Sequence, residues 1–359
     1  MAKQHEHPWH DKICNSSQIG GIETSILDNG PGRGTRIAWI DTGAGLRYKV
    51  VLDRGMDIVD AFFNSASLAF LTHAGVTPPK PDTTRGIEWL YSFGGGLVTT
   101  CGLTHVGPPE SDEFGERGLH GRISNLPATV ESIVQPDLPA GKLDFCLTGL
   151  VKETRLFGPS LELRRTISGH IGLPWLRIED KVTNVGTMPA PHMILYHCNF
   201  GYPLVDDGVD IVYKGKCKSR GLPMDDAIFN DRSNYRKCRK PLERHRGGQE
   251  ACGFIDAAAD RKGTVTAGLV NRRLGIALVL CYNKRQLPCL ANWQHFGMGD
   301  YVCALEPGTN FPIGQGVARK QKKLILLEPG QSRHYALDMA IMTKPASIAE
   351  FLRDFGYKK

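Results

Sequence analysis

Apolar and polar residues alternate along most of this chain. The runs are "TRIAWI" from Thr35, "RYKVVL" from Arg47, "ATVESIV" from Ala128, "LDFCLTGLV" from Leu143, "LELRRTISG" from Leu161 and "PWLRIEDKVTNVG" from Pro174. Further runs are "IALVLCYN" from Ile276, "KKLILLEPG" from Lys322 and "SRHYALDMAIM" from Ser332. A period of two puts successive side chains on opposite faces, and Gly/Pro clusters break the runs at short intervals. The pattern predicts an all-β sandwich or barrel with long decorated loops. One helix is expected, at about 347–355, in "SIAEFLRDFG". Ser347 and Glu350 fit a capping box, Ile348, Phe351, Leu352 and Phe355 form an apolar stripe, and Gly356 supplies the stop. No fixed-period repeat or linker composition divides the chain. A single domain over 1–359, with its core at about 20–342, is the simplest organisation.

Composition adds exclusions. The 359 residues are 41% hydrophobic and 23% charged, enough for a sizeable core. No stretch is long and apolar enough to suggest a membrane helix, and the N-terminal "MAKQHEHPWHDK" lacks a signal core, so a cytoplasmic location with no membrane partner is expected. The 10 cysteines form no C-x-x-C pair and read as reduced packing residues. The net charge of +7 is concentrated in "RSNYRKCRKPLERHR" and "ARKQKK". Neither interleaves basic and stacking residues as a nucleic-acid site would, so both read as solvated loops and no nucleic-acid partner is expected. The glycine-rich "FGGGLVTTCGL" at 93–103 has no phosphate-loop order; a tight turn or close backbone approach explains it.

Three segments carry candidate chemistry. In "MILYHCNFGYPLV" an imidazole, His197, interrupts what reads as a buried strand. It shares a face with Asn199, Leu195 and Met193, while His192, Ile194, Tyr196 and Cys198 face the other way. In "DYVCALEPGTNFPIG", Glu306 ends an apolar run, where partial desolvation would raise its pKa and suit it to act as a base. In "RGLHGRISNLPA", His120 and Arg122 lie in a Gly-flanked loop and, if that loop is extended, point the same way. Trp293 in "CLANWQHFG" could stack on a sugar face or simply pack.

Together these segments resemble the aldose 1-epimerase (galactose mutarotase-like) superfamily. "TNVGTMPAPHMILYHCNFG", "LHGR" and "CALEPGTN" are similar to its histidine strand, substrate loop and Leu-Glu-Pro element, in the same order. "VLDRGMDI", "GGLVTTCGL" and "LHGRISNLPA" resemble its DUF4432 branch more narrowly. The resemblance spans roughly residues 20–342. It implies a β-supersandwich with a sugar cleft, and a mutarotase that interconverts the α and β anomers of a free sugar. It makes His197 the general acid on the ring oxygen, Glu306 the general base on the anomeric hydroxyl and His120 a sugar binder, with His197 charged and Glu306 ionised at rest. It needs no cofactor. The superfamily's Arg-x-x-Asn-Arg segment is missing; Arg54 or Arg122 could replace its guanidinium. No counterpart of the superfamily's acidic sugar-binding residue is evident, which leaves the sugar open. Two alternatives stand: a non-catalytic sugar-binding or sensing module, and a carbohydrate isomerase or lyase using a metal held by His120, His192, Glu250 or His295. A homodimer is compatible with all three.

Overall fold

The computed structural model describes residues 12–82, 85–230 and 234–357; the polar N-terminal segment read above falls almost wholly outside them. Strands dominate, as the alternation requires. Gly21–Ile26, Arg36–Asp41, Leu46–Val51, Asp57–Phe63 and Ala66–Ser67 form a five-stranded antiparallel meander in chain order. An eight-stranded sheet runs, in space, through Asp210–Tyr213, Thr264–Asn271, Ile276–Asn283, Ser332–Met342, Trp175–Asn184, Ser160–His170, Asp144–Thr154 and Ala128–Val134.

The third sheet holds the candidate residues. Its spatial order is Gly215–Ser219, Ala251–Ala257, Cys289–Phe296, Tyr301–Gly308, Ala190–Gly201 and Ile325–Leu327, and Thr99–Leu103 also pairs with Ala190–Gly201. Ala190–Gly201, called the histidine strand below, therefore has strands on both edges and is buried along almost its whole length. Its two faces separate as the alternation requires. Ile194, Tyr196 and Cys198 join the main core with Leu163, Ile167, Leu176 and Ile178 of the eight-stranded sheet and Tyr48 and Ile58 of the meander. Met193 and Leu195 instead pack with Trp89, Phe93, Cys101 and Val106 beneath loops.

A buried charge cluster links all three sheets. The Arg165 guanidinium, with no exposed surface, donates twice to Asp180, at 2.9 and 2.7 Å, and also to Gly55 O, Thr100 Oγ1 and Asp57. Thr100 donates its N–H and hydroxyl to Asp57. The Tyr196 hydroxyl donates to Asp180 at 2.7 Å. Burial drives Asp57 up to about 6 despite Arg165 beside it.

The terminal helix spans Pro345–Asp354. The expected capping box is not used: Lys344 occupies the N-cap, no side chain caps the helix, and Pro345, whose fixed φ suits the first helical position, starts it two residues before Ser347. Gly356, at φ +77°, ends it as expected. The helices Pro223–Ile228 and Gln315–Lys320 were not anticipated, because six residues are too few to display a helical period. Gly95 bears out the close-approach reading of the glycine-rich stretch. It has φ +74°, and a Cβ there would stand 2.3 Å from Phe70 O. The cysteines are all free, and Cys101, Cys198, Cys238, Cys252 and Cys303 are buried. In "ARKQKK", Lys320, Lys322 and Lys323 are exposed, but Ala318–Lys320 close the helix Gln315–Lys320 and Ala318 is buried, so the segment is only partly the solvated loop expected.

Removing the guanidinium strands two buried carboxylates. Arg165→Met is expected to cost about 3–5 kcal/mol of stability, whereas Arg164→Met, whose pair with Glu131 is largely exposed, should cost under about 1 kcal/mol. Urea denaturation of both variants checks the contrast.

Candidate functional site

The register of the third sheet places the two candidate acid–base residues side by side. Cys198 stands opposite Leu305, so His197 and Glu306, one step along in each direction, are neighbours on a common face. Their side chains approach to 3.2 Å between His197 Nε2 and Glu306 Oε1, and each is almost fully buried. On the other edge His197 is paired with Thr99. Asn199, two residues on, lies on the same face; its Nδ2 donates to Gly96 O and His197 O.

Aromatic rings enclose the imidazole. Trp293 meets it edge-on at 5.3 Å between centroids, Phe93 is tilted at 5.8 Å, and His120 is edge-on at 5.9 Å. Trp89 stacks on Phe93 at 4.5 Å and lies 5.0 Å from His120. Within this enclosure His197 Nδ1, His120 Nδ1 and Asn199 Oδ1 are buried without hydrogen-bond partners, and Glu306 Oε1 has only its 3.2 Å approach to His197 Nε2. Buried polar atoms are normally satisfied, so this concentration marks a place for a ligand rich in donors and acceptors. His120 itself adopts φ +58°, a costly conformation for a non-glycine residue. Gly121 follows at φ +77°, where a Cβ would lie 2.4 Å from Gly102 O.

Burial sets the protonation of the pair. Desolvation pushes Glu306 up to about 8; the nearby Glu250 charge adds to this and Arg220 opposes it. Desolvation also lowers His197 to about 4, and it holds His120 well below its usual range, with His197 and His105 adding to the effect. Near neutrality the single proton of the pair therefore rests on Glu306. This reverses the expected resting state of charged histidine and ionised glutamate, because neither charge is solvated in this enclosure.

The two arginines expected to grip a sugar are placed differently. Arg54 is buried and its guanidinium is committed to the protein: it donates to Ser124 O, to Thr77 Oγ1 at 3.1 Å and to Ser92 O at 2.9 Å. That makes it a clamp between loops. Arg122 does not share a face with His120, since the left-handed conformations at His120 and Gly121 break the extended geometry on which that expectation rested. Its Nη2 reaches Pro81 O at 3.4 Å and it lines a separate groove. The residues named for a metal do not converge. His192 lies on the opposite face of the histidine strand, donating through Nδ1 to Leu103 O and accepting at Nε2 from the Tyr335 hydroxyl. His295 donates to Gln249 O and stacks on His245.

The sequence named Glu250 only as a possible metal ligand and missed Arg220; both act electrostatically on Glu306. Glu250 bonds Arg220 at 2.6 Å, Arg220 also forks onto Asp225, and Glu250 Oε2 is buried without a partner. Arg220 stands 86 positions before Glu306, and nothing local in the sequence connects them.

With this geometry in view, a family model described as "Domain of unknown function (DUF4432)" matches residues 32–341. The chain belongs to the DUF4432 family. Among solved structures it is similar to an inferred aldose 1-epimerase of Klebsiella pneumoniae subsp. pneumoniae, with TM-score 0.84 and 22% identity over 95% of this chain and 90% of that one. It also resembles a galactose mutarotase-like protein of Clostridium acetobutylicum, with TM-score 0.56 and 15% identity over 91% and 99% of the two chains. A galactose 1-epimerase of Lactobacillus acidophilus aligns with TM-score 0.57 and 10% identity over 89% and 98%. No functionally curated protein matches the chain in sequence. The fold is thus the galactose mutarotase-like β-supersandwich.

The protonation of Glu306 leaves a signature in stability. Folded Glu306 keeps its proton up to about 8, whereas an ordinary glutamate loses it near 4.5, so the folded state binds the extra proton and stability falls as pH rises through that window. His197, lowered to about 4 from 6.5, opposes this only below 6.5. Between pH of about 6.5 and 8 Glu306→Gln should therefore gain about 1–2 kcal/mol relative to the wild type, by the 1.4 kcal/mol per pH unit of a group protonated in one state only. Urea midpoints at the two pH values measure it; equal shifts in both proteins would show an ordinary glutamate.

Proposed function

We propose that the protein is an aldose 1-epimerase that interconverts the α and β anomers of a free sugar. The observation that carries this reading is the His197–Glu306 pair, 3.2 Å apart within an aromatic enclosure of unpartnered polar atoms. Mutarotation needs two coordinated proton transfers. One group removes the proton of the anomeric hydroxyl while another protonates the ring oxygen. The ring opens, the C1–C2 bond rotates, and the ring closes on the other face with the roles reversed.

The pair carries one proton between two sites. It rests on Glu306, but hydroxyl donors from a bound sugar would stabilise the carboxylate and shift that proton to His197. In that tautomer Glu306 is the base and His197 the acid, the roles implied by the superfamily resemblance. His120, Asn199 and Trp293 then line the sugar: Nδ1 of His120 and Oδ1 of Asn199 are available to hydroxyls, and the half-buried Trp293 ring offers an apolar face. Glu250, whose Oε2 is buried without a partner and whose charge acts on Glu306, would serve as the acidic sugar-binding group that the sequence motifs did not reveal, and Arg220 holds it in place. Proton transfer alone suffices for this chemistry, so the reading requires no cofactor.

Polarimetry or NMR on freshly dissolved pure anomers of a sugar panel tests the reading. His197→Asn and Glu306→Gln should each slow anomerisation about 10²- to 10⁴-fold, the usual worth of a positioned acid or base. His192→Asn should instead cost stability, since it breaks bonds to Leu103 and Tyr335 in the core, and leave the rate nearly intact. Saturable sugar binding with no anomerisation would make the protein a sensing module.

The rate should also follow a bell-shaped pH profile. The reactive state has one proton on the pair, so activity should fall as the pair gains a second proton near pH 4 and as it loses the first near pH 8. A profile that rises steadily through pH 8 would exclude the paired mechanism.

A further inference from the structure

The hairpin joining Asp144–Thr154 to Ser160–His170 carries Leu156 and Phe157 at its tip, 82% and 97% exposed. Phe157 also holds φ +58°. Beside the tip lies a groove of about 1180 Å³, with Phe114, Met188 and Leu326 along its walls, each at least half exposed. Contiguous apolar surface of this kind, rimmed by charge, marks a place where something binds. The volume slightly exceeds the roughly 300–1,000 Å³ common for small-molecule sites.

The charges in the groove narrow the occupant. Arg122, Arg155 and Arg319 line it, and none of the three pairs with a carboxylate among the described residues. Its other arginines differ: Arg117 bonds Glu110 and Asp112 at 3.2 and 2.6 Å, and Arg85 stands 4.0 Å from Glu116. Arg319 sits over Phe114, 3.8 Å from the ring centroid, and donates to Gln315. The Nε atoms of Arg122 and Arg319 are buried without a partner. The groove carboxylate Glu153 is bound to Leu103 N–H and the Thr104 hydroxyl, and Asp112, whose carboxylate feels the Arg319 charge, is itself bonded to Arg117, so among the described residues Arg122 and Arg155 have no carboxylate partner and Arg319 has only a shared one.

These features exclude simpler occupants. A neutral polyol could accept hydrogen bonds from the arginines but would leave their charge uncompensated and the apolar wall without a matching group. A second copy docked through this same surface could seat its Leu156–Phe157 tip in the groove, but it would leave the arginines without an anionic partner. An anion with an apolar body satisfies both, since guanidinium forks match phosphate, sulfonate and carboxylate alike. The groove is also separate from the acid–base pair. None of His197, Glu306 and His120 lines it; Gly121, the residue after His120, does, but Pro191, which also does, lies about 20 Å along the histidine strand from His197 at 3.3 Å per residue.

We propose that this groove is a second binding site, for an organic anion whose phosphate, sulfonate or carboxylate head is held by Arg122, Arg155 and Arg319 and whose apolar body rests on Phe114, Met188 and Phe157. The site does not depend on the anomerase reading.

The amphiphilic sulfonate 8-anilinonaphthalene-1-sulfonate tests the proposal by fluorescence titration of the full chain, with equilibrium dialysis for stoichiometry. One saturable site per chain is expected, with inorganic phosphate displacing the dye at high concentration. The double variant Arg155→Gln/Arg319→Gln should weaken binding about tenfold or more, the scale of losing two charge-assisted hydrogen bonds. His197→Asn should bind the dye as the wild type does, because the catalytic enclosure takes no part. Wild-type affinity in the double variant overturns the proposal, as does loss of dye binding in His197→Asn. A dimer in sedimentation that Phe157→Ser dissociates overturns it as well, by assigning the surface to a second copy of the chain.

Discussion

The bidentate pair between Arg165 and Asp180 is the interaction on which the arrangement of the sheets rests. Both residues belong to the eight-stranded sheet, yet the same guanidinium reaches Asp57 and Gly55 at the edge of the meander and Thr100 in the third sheet. Asp180 also receives the Tyr196 hydroxyl. A buried ion pair adds little net stability over apolar packing, but it is intolerant of displacement, because every donor must keep its acceptor. Apolar contacts alone would allow the layers to slide. Here Tyr196 is fixed from below, and so its neighbour His197 is fixed on the face above.

That one-residue offset separates structure from chemistry in the histidine strand. Tyr196 serves the core and His197 the enclosure. The same division holds for the paired histidines, since His192 is saturated by Leu103 and Tyr335 while His197 Nδ1 has no partner. The enclosure then sets the electrostatics. With Phe93, Trp293 and His120 packed round the imidazole, ionisation of either partner is unfavourable, and the proton resides on the carboxyl. In the mutarotase reading proposed above, a pair held neutral by desolvation would move one proton when the sugar binds, without binding or releasing protons to solvent.

Cationic side chains are divided among separate tasks. Arg54 joins loops through their carbonyls, Arg220 orients Glu250 beside Glu306, and Arg122 faces a groove away from the acid–base pair. The superfamily's missing arginine therefore has no direct replacement at either position first considered. The arginine whose charge acts on Glu306 is Arg220, already neutralised by Asp225 and Glu250.

The sequence by itself determined the strands, the two faces of the histidine strand and the terminal apolar stripe, because a period of two or 3.6 is a local property of the chain. It also marked His197 and Glu306, since an imidazole and a carboxylate within apolar runs stand out against their neighbours. Tertiary structure decided what depends on distance across the fold. The register of Cys198 against Leu305 joined His197 to Glu306 across more than a hundred residues. Loop backbone, left-handed at His120 and Gly121, turned Arg122 away from the histidine it nearly adjoins. Burial reversed the charges expected of the pair, because solvation is a property of the packed neighbourhood and no residue carries it in its own identity.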